Sequence, residues 1–196
     1  TVLIGDQCWF AENCRYLPEV SPSSEGNETA PYYYVYDYEG TDVTAAQATA
    51  NYATYGVLYN WPAVMTDGIC PSGWHIPSDG EWQTMEISLG MSEADATSDG
   101  WRGSPVGDSM KSTSGWFNNG NVFVNGSNSS GFTGLPGGYS DSGVFNFNGV
   151  YGVWWSASES GSNSWQRALG SSYDNVGRNV SGRYSGFSAR CVKDQS

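Results

Sequence analysis

Apolar side chains recur along TVLIGDQCWF, where Val2, Ile4, Trp9 and Phe10 mark a strand. The prolines and serines of LPEVSPSSEGNETAP then break regular structure. The run YYYVYDY follows; on a strand it places Tyr32, Tyr34, Tyr36 and Tyr38 on one face and Tyr33, Val35 and Asp37 on the other. The alanines of TDVTAAQATANYATYG predict a helix capped by Thr41 or Asp42 and ended at Gly56. A second helix is predicted from Ser78 or Asp79 through GEWQTMEISLGM, with Trp82, Met85 and Leu89 on its buried face. Beyond Gly90 the chain is broken by glycines, and Trp101, Trp116, Phe117, Phe123 and Phe132 are expected to pin a long ordered loop region onto the core. Strands are predicted at YGVWWSAS, SWQRALG and GFSARCVKD. Early helices followed by short antiparallel strands give an α+β domain, one unit over residues 1–196.

Composition sharpens this picture. Nine Trp, thirteen Tyr and seven Phe supply an aromatic rather than aliphatic core, and 26 Gly favour turns over a helical bundle. The net charge of −12 argues against nucleic acid and anionic lipid as partners. No apolar run approaches the roughly 20 residues of a spanning helix, so membrane insertion is not expected. The N-terminus lacks the features of a signal peptide, so any export leader is expected to have been removed already.

Four cysteines on a chain rich in Gly, Ser and Asn suit an oxidising, extracellular setting. They allow three pairings, and sequence alone does not choose among them. We take Cys8–Cys14 as a local clip and Cys70–Cys191 as a tie between the middle and the C-terminal region. A zinc site would need paired short spacings, whereas Cys8 and Cys14 make only a C-x5-C.

The densest chemistry lies in CPSGWHIPSDGEW, Cys70 to Trp82. His75 is the chain's only histidine, and with no GxSxG elbow it reads as a strand or loop histidine with an ordinary hydrogen bond rather than a triad base. Pro77 and Ser78 end a strand and start a helix, Trp74 and Trp82 pack on either side of that corner, and Glu81 favours the helix dipole. Asp79 with Glu81, Glu93 with Asp95, and Asp141 read as solvated surface charge rather than a glycosidase pair.

The blocks IGDQCWFAEN, YGVLYNWPAV, CPSGWHIPSDGEW, GLPGGY, GVWWSAS and GFSARCVKD resemble, in order from Val2 to Asp194, those of the Fibrobacter succinogenes major paralogous domain (FISUMP) family. That family is similar in turn to the formylglycine-generating-enzyme and sulfatase-modifying-factor group, through HIPSDGEW and GFSARC. The resemblance implies a C-type-lectin-like fold with two helices, a small antiparallel sheet and long ordered loops, in a bacterial protein. It implies a further strand before Thr1. Cys8 and Cys14 stand at positions often not cysteine in relatives, which supports their pairing with each other. The oxidising chemistry of the formylglycine group uses two cysteines near the C-terminal block; here that region holds Cys191 alone, so an enzyme of this kind is not expected. The lectin-like resemblance also implies structural calcium, held by loop oxygens around DSGVFNFN and SYDNVGRN with no ligand set assigned.

The candidate contact residues are aromatic. Trp154 and Trp155 are adjacent on a strand and point to opposite faces, so each is either covered by a loop or available to stack on a sugar. The face of Tyr32, Tyr34, Tyr36 and Tyr38 suits a glycan platform or a protein interface. Three functions stand open: an extracellular, non-enzymatic binding or adhesion domain for polysaccharide; a subunit that assembles with copies of itself into a filament; and an enzyme.

Overall fold

The structure, a computed structural model, describes residues 1–117 and 125–195; Phe123 lies outside them. The first ten residues form a hairpin rather than one strand. Gly5 turns the chain at φ 57°, a conformation few other residues adopt, and folds β1 (Val2–Ile4) onto β2 (Gln7–Trp9). The tyrosine run contracts to β3 (Tyr33–Tyr34), since Asp37 at φ 63° turns the chain away. The alanine-rich stretch divides into α1 (Val43–Gln47) and α2 (Ala50–Tyr55). The break falls at Thr49, which leaves helical geometry and accepts a hydrogen bond from the Tyr52 N–H, while Asp42 caps α1 as expected.

Next come β4 (Leu58–Tyr59), α3 (Trp61–Val64) and β5 (Trp74–His75). Helix α4 (Asp79–Ser88) begins where the sequence places it. The Ser78 hydroxyl accepts from the Glu81 N–H while the Glu81 carboxylate accepts from the Ser78 N–H, a reciprocal cap whose loss typically costs about 1 kcal/mol. Trp82 and Met85 are buried on its inner face, and Trp82 meets Trp9 with ring centroids 4.8 Å apart. Leu89 is only partly buried; Glu86 takes the buried position instead. The remaining elements are α5 (Glu93–Thr97), β6 (Gly100–Arg102), α6 (Val106–Met110), β7 (Tyr139–Asp141), β8 (Val144–Asn146), β9 (Tyr151–Ser160), β10 (Asn163–Gly170), β11 (Val176–Gly182) and β12 (Val192–Lys193).

The strands form two four-stranded sheets, ordered β1-β2-β12-β5 and β6-β11-β10-β9, and two hairpins, β3-β4 and β7-β8. The architecture is α+β, with every named strand pair antiparallel. The β6-β11-β10-β9 sheet divides the core. Trp154, Leu169 and Val176 join a cluster with Trp9, Trp82, Met85 and Phe132, whereas Val153, Trp155 and Ala168 face a second cluster with Tyr59 and Phe187.

Asp79 is not a solvated surface charge. The Arg167 guanidinium, fully buried on β10, donates to Glu86 Oε1 and Asp79 Oδ1, each at 2.7 Å. Arg102 donates to Glu86 Oε2 at 2.6 Å, and Arg178 to Asp79 Oδ2 at 2.7 Å. Two carboxylates of α4 thus bind three arginines of the sheet behind it. Burial favours the neutral acid at Asp79, but Arg178 and Arg167 outweigh it and hold the carboxyl below its ordinary value.

Cys70 and Cys191 are joined, 121 residues apart in sequence. The expected Cys8–Cys14 pair is wrong: both are free. Hydrogen bonds from the Phe10 N–H to Cys191 O and from the Cys14 N–H to Ala189 O hold the intervening segment against residues 189–191 instead of letting it double back. No helix among the described residues is long and apolar enough to cross a membrane.

Candidate functional site

The aromatic residues singled out from sequence do not form one open surface. Tyr34 is buried, its hydroxyl donating to Glu25 O at 2.8 Å, and Tyr32 stacks on it with centroids 6.5 Å apart. Tyr36 leans on Phe145, and the Tyr38 hydroxyl donates to Asp42 O. The shared open face fails because only two residues of the run are strand and both are buried. Trp154 and Trp155 are both 0% exposed. Trp155 packs on Phe187 and donates its indole N–H to Tyr59 O at 2.7 Å; Trp154 packs on Phe132 and donates to Asn13 Oδ1 at 2.9 Å. Of the alternatives for this pair, coverage holds on both faces.

The open aromatic surface lies one layer above Trp155. In the sheet register, Val153, Ala168, Gly177 and Trp101 form one cross-strand row, and Trp155, Gln166 and Asn179 form the next, all on the same face. The small residues of the first row leave the floor low. Around it Trp101, Tyr139, Phe147, Tyr151, Tyr184 and Phe187 make walls, and the cleft between them has a volume of about 570 Å³. That falls in the usual range of small-molecule sites, roughly 300–1,000 Å³.

The rings form a continuous chain. Tyr173 stacks on Trp101 at 4.1 Å, Trp101 lies 6.2 Å from Tyr151, Tyr151 5.6 Å from Phe147, and Phe147 5.7 Å from Tyr139. Phe147 is held at φ 58°, uncommon for a side chain of its size, while its carbonyl accepts from the Val150 and Tyr151 N–H groups. This turn presents the ring with 51% of the residue exposed, and Tyr184 opposite is 42% exposed.

Polar groups converge on the same space. Gln166, Asn179, Ser181, Ser185 and Asp141 line it. The Ser185 hydroxyl donates to Asp141 Oδ1 at 2.9 Å. Gln166 is more than nine-tenths buried, and its Oε1 has no hydrogen-bond donor among the described residues. Burial and the Asp141 charge raise the Tyr139 phenol above its ordinary value, and burial beside Tyr173 does the same for Tyr151, so both keep their protons at neutral pH.

His75 stands elsewhere, between Asp194 Oδ1 at 2.6 Å and Glu81 Oε1 at 2.7 Å. No serine is bonded to it among the described residues. Its flanking tryptophans divide as expected: Trp74 packs on Phe10 at 4.9 Å, while Trp82 turns into the core. The carboxylates of the two loops implied for calcium bind hydroxyls, Asp141 those of Ser185 and Ser142 and Asp174 that of Ser104. Among the described residues no three His, Cys, Asp or Glu side chains are grouped to hold a metal ion.

Sequence reasoning singled out only Trp101 of the cleft's rings, and that as a loop pin. The available signal was the recurrence of Tyr139, Phe147, Tyr151 and Tyr184 inside glycine-, serine- and asparagine-rich segments, where large rings are unusual unless they pack or bind. Comparison with known families matches residues 2–193 to the Fibrobacter succinogenes major domain. No curated protein and no solved structure matches the chain.

Proposed function

The chain belongs to the Fibrobacter succinogenes major domain family, and we propose that this member is an extracellular, non-enzymatic domain that binds polysaccharide in the cleft above the β6-β11-β10-β9 sheet. The observation that carries the reading is the juxtaposition of exposed rings with convergent polar groups. Phe147 and Tyr184 offer flat faces for the C–H surfaces of a sugar, while Gln166, Asn179, Ser181 and Asp141 supply partners for its hydroxyls. The unusual backbone at Phe147 belongs with this, since conformations of that kind gather at ligand sites.

A non-enzymatic role fits the lining. Glycoside hydrolysis ordinarily needs two carboxyl groups across the scissile bond, and Asp141 is the only carboxylate among the described residues that line the cleft. The disulfide and the acidic surface suit an extracellular setting. Assembly into a filament rests on the tyrosine strand and the N-terminal edge; the strand contributes only the buried pair Tyr33 and Tyr34, while β1 stands at an edge of its sheet.

A glycan array probed with the purified domain tests the proposal. Retention on a defined set of polysaccharides supports it, and no retention on any glycan, with the protein folded, overturns it.

A further inference from the structure

The cleft holds a carboxylate with no counter-ion among the described residues. Asp141 takes part in none of the ion pairs among the described residues. Among the described residues its oxygens accept only from the neutral hydroxyls of Ser185 and Ser142. No lysine, arginine or histidine lines the cleft among the described residues. The cleft it lines also carries the rings of Tyr139, Phe147 and Tyr184, and aromatic faces attract a cation. A carboxylate beside aromatic faces is the chemistry that recognises an ammonium group.

Two further observations narrow the ligand. Gln166 stands on the cleft floor, where it and Asn179 bring side-chain amides to the lining, while its Oε1 is enclosed and has no donor among the described residues. A second, polar hollow of about 150 Å³, lined by Ser23, Glu25 and Ser142 among others, shares Asp141 and Tyr184 with the cleft. The two spaces adjoin at that pair, and a ligand that reaches both extends beyond one ring. Glu25 adds a second carboxylate on the far side. The net charge of −12 opposes uronic acids and sulfated sugars throughout.

We infer that the cleft selects amino-sugar polymers, with a protonated amine at Asp141, sugar faces on Phe147 and Tyr184, and the next unit in the hollow beside Glu25. This rests on the cleft being the saccharide site. The amine places the positive charge, and the Asn179 and Ser181 side chains that line the cleft offer partners for the hydroxyls of the same or the neighbouring ring.

The test is calorimetric titration of the whole chain, at a pH where the sugar amine is charged, with four probes: a glucosamine oligomer, its fully N-acetylated counterpart, a neutral glucose oligomer of equal length, and a lysine oligopeptide. The glucosamine oligomer is expected to bind about tenfold more tightly than either neutral sugar, since a desolvated cation on aromatic faces contributes on that scale. The preference should shrink as salt is raised and disappear in Asp141→Asn, which keeps an acceptor for Ser185 and the wild-type Tm. Equal or tighter binding of the neutral sugars overturns the amine assignment and leaves the saccharide site standing. Tighter binding of the lysine peptide overturns the polymer class. Binding of no sugar at all, charged or neutral, overturns both readings. The wild-type salt dependence gives the answer even if Asp141→Asn folds poorly.

Discussion

The Cys14 sulfur lies 3.6 Å from that of Cys191, which is nonetheless bonded to Cys70. Cys14 is buried, and burial pushes its thiol up to about 12, so it is protonated and shielded at neutral pH. Cys8, on the β1–β2 hairpin, is half-buried. Iodoacetamide should therefore label Cys8 in the native protein and Cys14 only after unfolding, with one disulfide-linked peptide pair, Cys70 with Cys191. A Cys8–Cys14 peptide contradicts this. Replacing Cys70 with serine should cost about 5 kcal/mol in the chain-entropy model, because the closed loop is long.

Glu86 joins Arg102 and Arg167 where water does not reach. Its replacement by alanine leaves Arg102 without its carboxylate and Arg167 with Asp79 alone, and breaking a buried pair from one side costs about 3–5 kcal/mol. Denaturant unfolding of Glu86→Ala should show that loss. A change below about 1 kcal/mol would mean that the network is open to solvent.

His75 gives the stability a pH dependence. Burial disfavours its charge, but Asp194 and Glu81 outweigh burial and raise its pKa above the ordinary 6.5. A raised pKa means that the folded state holds the proton more tightly than the unfolded one. Its stabilisation is fully present below the unfolded value and is lost as pH rises through the folded value. Glu81 has the opposite sign: burial raises it, the Ser78 N–H and hydroxyl and then His75 lower it further, and its contribution disappears as pH falls through the depressed value. Tm should therefore decline above pH 6.5 in the wild type. In His75→Gln that decline should be absent. Because the His75 side chain is 42% exposed, solvent screening keeps the effect small.

Tyr34 and Tyr184 separate core from site. Tyr34→Ser removes a ring that is 1% exposed and should lower stability by about 3–5 kcal/mol, read by denaturant unfolding. Tyr184→Ala, at 42% exposure, should leave Tm near wild type and weaken saccharide binding about 30-fold, as loss of a ~2 kcal/mol contact implies. The reverse pattern would place the binding surface on the tyrosine run.

The legible parts of the fold were those with local causes. The α4 cap at Ser78 and the strands around Trp154 and Trp165 follow from short-range patterns. Strand β11, VGRNVSG, carries too few apolar residues to announce itself; its pairing with β10 and its buried Arg178 bring it into the sheet. The hairpin at Gly5 and the break at Thr49 each turn on one residue inside an otherwise continuous pattern. The cleft was hidden for a different reason. Its row Val153, Ala168, Gly177, Trp101 exists only after four strands align, and Asp141 reaches it from β7, Phe147 from the turn before β9 and Tyr184 from the turn after β11. Adjacent tyrosines were conspicuous in the sequence, yet the fold spends them on packing.

The most direct test of the central claim is an NMR titration of the domain with an oligosaccharide retained on the array, following indole N–H and side-chain amide signals. Binding in the cleft should shift the Trp101 indole and the Gln166 and Asn179 amides while leaving the Trp9 and Trp82 indoles in place. Shifts confined to other surfaces, or no shift at saturating sugar, would contradict it.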